Sequence, residues 1–127
     1  MSIDVTSKTP ATSSVLDHEK LDAYRVAVEL DKLVVRICRG LGRGHAWLRD
    51  QAERASGSTA LNLTEAVARR GADRAQRYRI ARGSLLECDA ALTLIEHRAL
   101  CAPALREQAR VLTVRLSAML YRLVETA

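Results

Sequence analysis

The sequence has no phenylalanine, and among its 127 residues there are only four aromatics, two prolines and six glycines. So little turn material argues against a sandwich or barrel, which needs Gly- or Pro-rich turns at short regular intervals. Long apolar runs are also missing. None approaches the ~18–20 residues of a membrane span, and the opening Met-Ser-Ile-Asp-Val-Thr-Ser-Lys has no apolar segment behind a basic one. Neither a membrane anchor nor a signal peptide is expected. Cysteine is sparse and odd in number: Cys38, Cys88 and Cys101 each sit in or beside an apolar helical run. That pattern suits reduced core thiols better than a disulfide frame, and the expected compartment is the cytoplasm.

What is present is aliphatic and basic. Apolar residues make up 48% of the chain and charged residues 28%, within the range of a folded domain. The length allows one domain. Net charge is +5, carried by seventeen arginines against three lysines. Arginine forms planar bidentate contacts with carboxylate and phosphate that lysine cannot form. Arginine-rich codon usage would produce the same bias.

Residues 1–15 read as a flexible tail and 16–127 as one helical domain. Three breaks divide the domain: Gly40-Leu41-Gly42-Arg43-Gly44, Gly71, and Cys101-Ala102-Pro103. Glycine after a periodic run stops a helix, and Pro103 is well placed in the first turn of the next. The expected helices are 17–40, 46–70, 73–100 and 103–125. Short connections between long helices predict an all-α, antiparallel up-down four-helix bundle.

Two of these helices carry more apolar surface than one bundle needs. The last has a core stripe of Leu105, Ala109, Leu112, Leu116, Met119 and Leu123, and a second stripe of Val111, Val114, Ala118 and Tyr121. The third has Tyr78, Ala81, Leu85, Cys88, Leu92 and Ile95 on one face, and Ile80, Gly83, Ala90 and Leu94 across it. At about 100° per residue the second stripes lie well round the helix from the first. Monomers seldom expose a large contiguous apolar patch, so self-association into a homo-oligomer is expected. The first helix has a wide apolar arc and a narrow polar strip of Arg25, Glu29, Lys32, Arg36 and Arg39.

The second helix presents a polar ridge, Gln51, Arg54, Ser58, Asn62, Glu65 and Arg69, beside a thin strip of Leu48, Ala55, Thr59 and Ala66. Mid-helix asparagine is a poor helix former, so Asn62 is expected to have a specific partner. The sharper reading is a network reaching Arg82, Ser84 and Glu87 on the third helix; the plainer one is a solvated face.

These residues resemble the four helix bundle protein family, whose founding members are encoded in intervening sequences of bacterial large-subunit ribosomal RNA genes. The family pattern Gln-x-x-Arg-Ala-x-x-Ser-x-x-x-Asn-x-x-Glu-Gly is met by Gln51, Arg54, Ala55, Ser58, Asn62 and Glu65, with Ala66 in place of the last Gly. The second signature, Ala-Arg-Gly-Ser-x-x-Glu, is met by Ala81, Arg82, Gly83, Ser84 and Glu87, and a shorter one by Leu21, Tyr24 and Ala27. The likeness spans about residues 20–125. It implies a ring-like homopentamer of antiparallel bundles without known catalysis. A related branch comprises the accessory variability proteins of diversity-generating retroelements, basic pentamers that bind nucleic acid and work with a reverse transcriptase. The Ala66 departure shifts the expected exit from the second helix to Gly71.

No catalytic, cofactor or metal site is expected. None of His18, His45 and His97 stands three residues after a glutamate, as a di-metal bundle requires. His97 and Cys101 are one turn apart, but no second pair completes a site. There is no phosphate-loop motif, and Ser84 has no evident base. Charge leaves one further clue. From Arg69 to Arg82 there are six arginines against a single acid, Asp73, and Arg36 to Arg49 is free of acids. Arg69, Arg70, Arg74, Arg77 and Arg79 are therefore candidate contacts for a nucleic-acid backbone, without sequence specificity. The expected function is a non-catalytic homo-oligomeric scaffold that contacts a protein or nucleic-acid partner. The alternatives are a basic RNA- or DNA-binding accessory protein of the retroelement type and, last, a small-molecule or metal enzyme.

Overall fold

The computed structural model describes residues 14–127. Most of the expected 1–15 tail lies outside the described residues. Four helices follow: α1 Ser14–Arg39, α2 Ala46–Val67, α3 Gly71–His97 and α4 Pro103–Thr126. A single 3-10 turn, Arg43–His45, leads into α2. There is no strand among the described residues. At 1.5 Å per residue the helices are roughly 33–40 Å long.

Each helix packs against two others, α1 on α2 and α4, α3 on α2 and α4, which closes a ring around one core. The core face of α1 is Ala23, Val26, Ala27, Leu30, Val34, Ile37 and Cys38, all buried. The predicted α3 face is buried in full, from Tyr78 through Ala81, Leu85, Cys88 and Leu92 to Ile95. On α4, Ala109, Leu116, Met119 and Leu123 are buried, with Leu105 and Leu112 packed partly against the same cluster. The α2 strip of Leu48, Ala55, Thr59 and Ala66 is buried and is widened by Ala52 and Leu63. Buried Thr59 and Thr113 return their hydroxyls to the carbonyls of Ala55 and Ala109, each at 2.8 Å. This satisfies them within their own helices.

The connections differ from expectation in an informative way. Helix α2 stops at Val67, three residues early, and the Arg74 side chain reaches back to the carbonyls at its end. Arg74 Nε donates to the oxygens of Ala66 at 3.1 Å and Arg69 at 2.7 Å. The Ala66 carbonyl, which also accepts from Arg69 N at 3.0 Å, belongs to the last turn of α2, and a guanidinium complements the negative end of the helix dipole. Gly71, at φ +54, then turns the chain into α3 through the left-handed region that glycine enters without steric cost. Helix α3 ends three residues early in a Schellman motif. Ala99 N donates to Glu96 O at 2.9 Å and Leu100 N to Ile95 O at 3.1 Å. Ala99 occupies the left-handed position, φ 57, where a glycine is usual.

Candidate functional site

The α2 ridge and the second α3 signature meet. Ser58 and Ser84 face each other hydroxyl to hydroxyl at 2.9 Å, with Ser84 almost wholly buried. Asn62 Nδ2 donates to the Ser58 carbonyl at 2.9 Å and to its hydroxyl at 3.1 Å. The amide oxygen of Asn62 accepts a long 3.5 Å bond from Arg77. Asn62 thus has the specific partners that its mid-helix position calls for. The other ridge members stay outside this cluster. Gln51 and Arg54 are exposed, and Glu65 pairs with Arg69, just past the end of α2, at 2.9 Å. Glu87 is exposed. Arg82 pairs with neither Glu65 nor Glu87; its guanidinium lies over the Tyr121 ring of α4, 5.4 Å from the centroid.

Four of the five candidate nucleic-acid contacts have partners within the protein. Arg69 bridges Glu65 and Asp73, Arg74 caps α2, Arg77 reaches Asn62, and Arg79 contacts Gln76 at 3.5 Å. The bonds that Arg69 donates to Glu65 and Asp73 raise its pKa above the ordinary value. Of the five, Arg70 and Arg79 are exposed without an ion pair among the described residues.

Across α3 and α4 the second apolar stripes face outward together. Ile80, Gly83, Ala90 and Leu94 are exposed on α3, as are Val111, Val114, Ala118 and Tyr121 on α4. A methyl group added at Gly83 would meet nothing within 4 Å. Leu86, which the periodicity argument left out, joins them at 59% exposure. Between the helices runs an open groove of about 610 Å³, walled by Leu86, Val114, Ala118 and Tyr121, with Asp89 and Arg110 at its edge.

Two features went unnoticed in the sequence. Arg106 is buried at 5% exposure, its guanidinium paired with Asp89 at 3.0 Å and Glu96 at 3.3 Å, and bonded to Thr93 at 3.3 Å. An arginine inside the Leu105–Ala109 stripe was the available signal. The second is at the 3-10 turn, where Trp47 is exposed and the Arg98 guanidinium sits over its ring at 5.3 Å. Nothing in the spacing of residues 47 and 98 foretells that pair.

The thiols are free, with Cys38 and Cys88 buried and Cys101 half-buried. Burial first, and then the charge of Glu53, pushes Cys38 up to about 11; burial and Asp89 push Cys88 up to about 12. Neutral thiols of this kind are poor nucleophiles and poor metal ligands. Among the described residues no three His, Cys, Asp or Glu side chains are grouped to hold a metal ion, and no helix is long and apolar enough to cross a membrane.

A family profile described as 23S rRNA-intervening sequence protein matches residues 19–122, which takes in most of all four helices. The chain belongs to that family. No curated protein compared with the chain matches it. The stretch shared with the 23S rRNA-intervening sequence proteins contains the Ser58–Ser84 cluster, the outer α3–α4 face, Arg106 and the Trp47–Arg98 pair.

Proposed function

We propose that this member of the 23S rRNA-intervening sequence family is a non-catalytic scaffold that assembles with copies of itself through the outer face of α3 and α4. One observation carries the reading: Ile80, Leu86, Leu94, Val111, Val114 and Tyr121 line adjoining helices at 38% to 59% exposure. Apolar side chains in a contiguous patch are worth roughly 25 cal/mol per Å² once covered, and a second copy covers them. Five copies around a ring is the number that the family likeness implies, with the helices antiparallel in up-down order. The α2–α3 bonds support that order: as the α2 partner advances from Ser58 through Asn62 to Ala66, the α3 partner retreats from Ser84 through Arg77 to Arg74.

The interior polar groups support a structural rather than a catalytic role. Ser84 is spent on Ser58, Thr113 on its own helix, and Arg106 on Asp89 and Glu96. Three unpaired thiols suit the cytoplasm.

Static light scattering at micromolar concentration tests the assembly. The expected result is a mass several times the 14.0 kDa of one chain. Val114→Glu and Leu86→Arg, both at exposed sites, are expected to release helical monomers. A wild-type monomer overturns the reading.

A further inference from the structure

The sequence points to a basic region at the α2–α3 turn, and a second set of exposed arginines without ion pairs stands around the 3-10 turn and the α3–α4 connection. Residues 33–49 and 97–106 contain no acid. Arg36, Arg39, Arg43 and Arg98 from these segments are all exposed, and none has an ion pair among the described residues. The 5.3 Å contact of Arg98 with Trp47 brings the start of α2 to the end of α3. The 3-10 turn Arg43–His45 joins the end of α1 to the start of α2, so Arg36, Arg39 and Arg43 lie at the same end as Trp47. Three guanidinium groups without ion pairs, and a fourth held over the indole, thus share one end of the domain with its one tryptophan, which is 52% exposed.

We propose that this end binds single-stranded nucleic acid, with Trp47 stacking on a base, Arg98 holding the indole from its other face, and Arg36, Arg39 and Arg43 contacting the phosphates. An exposed indole would ordinarily be driven into an interface. The guanidinium over it sets the ring in place and adds a cation–π attraction. Positive charge that follows a backbone, combined with an aromatic face for bases, is the pairing that single strands require. A duplex offers phosphates, but its bases are already stacked on one another. An acidic peptide matches the charge and leaves the indole without a stacking partner. Carboxylates border the patch without lying within it: Glu96 is engaged by Arg106, and Asp50, Glu53 and Glu107 stand further along α2 and α4. This goes beyond the scaffold reading and does not depend on it.

The test exploits the single tryptophan as its own reporter. The full chain is titrated with oligouridylate and oligothymidylate of about 12 nucleotides, within the site size of such surfaces, at low salt while indole emission is followed. Emission is expected to be quenched on binding. For three to four contacting arginines, log K against log salt should fall with a slope of about −2 to −3. Anisotropy of a labelled oligonucleotide then ranks the variants. Trp47→Ala is expected to bind about tenfold or more weaker, and Trp47→Phe to recover part of that. Arg98→Gln and Arg43→Gln should weaken binding, while Arg70→Gln at the other end leaves it unchanged. Absence of binding at low salt overturns the proposal. So does equal binding by Trp47→Ala, or equal quenching by abasic oligonucleotide, duplex or polyglutamate. A matching effect of Arg70→Gln overturns the location. Unchanged circular dichroism and melting of the Trp47 variants, whose side chain is largely exposed, separates lost binding from lost fold.

Discussion

Ser58 on α2 and Ser84 on α3 share one hydrogen bond of 2.9 Å, and through it the two signature segments of the sequence lock together. Ser84 is 8% exposed, so water cannot replace a lost partner there. Ser58 keeps a second bond, from Asn62 at 3.1 Å. Ser58→Ala and Ser84→Ala should each cost about 0.5–1.5 kcal/mol in urea unfolding. The double variant should cost less than their sum, because the second substitution removes a group already orphaned by the first. Strict additivity would mean that the two hydroxyls do not interact in solution.

Arg106 is the strongest charged element of the interior. Its side chain is 6% exposed between Asp89, 25% exposed, and Glu96, 54% exposed. Arg106→Leu leaves Asp89 with only Arg110 at 3.7 Å. Removing one partner of a buried ion pair costs about 3–5 kcal/mol, and the partial exposure of Asp89 brings the expectation to about 2–4 kcal/mol. Adding Asp89→Leu should restore part of the loss, since the abandoned carboxylate and not the missing attraction is the larger penalty. A single Arg106→Leu variant with wild-type urea midpoint would contradict the pairing.

The helices, their core stripes and the outer α3–α4 stripe were legible because each follows from spacing along one helix. Tyr78 to Ile95 is buried as the 3.6-residue period requires, and Val111, Val114 and Tyr121 are exposed by the same rule. Asn62 was legible as a residue that needs partners. The destinations of the arginines were not. Arg106 finds its acids ten and seventeen positions back on another helix, and Arg74 caps α2 from across a turn. Neither distance leaves a periodic trace. Part of this pairing was nonetheless readable: Glu65, Arg69 and Asp73 stand four residues apart, a spacing at which opposite charges meet.

Two left-handed residues invite opposite substitutions. Ala99 has φ 57 in the Schellman turn after α3, a conformation that costs an L-residue with a Cβ about 1 kcal/mol or more. Ala99→Gly should therefore raise stability by about 0.5–1 kcal/mol, the gain being trimmed by the greater freedom of glycine in the unfolded chain. Gly71, at φ +54, has nothing within 4 Å of a built Cβ, so Gly71→Ala meets no clash. Its expected loss of about 1 kcal/mol comes from backbone strain alone. Thermal melts of the two variants should move in opposite directions by a few degrees. Movement in the same direction would refute the strain argument.

The buried thiols give stability an alkaline limit. Burial raises Cys38 to about 11 and Cys88 to about 12 from an ordinary 9.0. Below pH 9 both thiols are neutral in the folded and the unfolded chain, and their contribution is fully present. Between pH 9 and the folded values the unfolded chain releases protons that the folded chain retains, so unfolding becomes progressively easier as pH rises. The urea midpoint should hold from pH 7 to about 9 and then decline toward 11, with a shallower decline in Cys88→Ala despite its lower starting stability. The same burial fixes an order of reactivity. A thiol reagent at pH 8 should modify half-buried Cys101 first, and Cys38 and Cys88 only as fast as the bundle opens. Rapid labelling of all three in native buffer would show that α1 and α3 do not shield their cysteines.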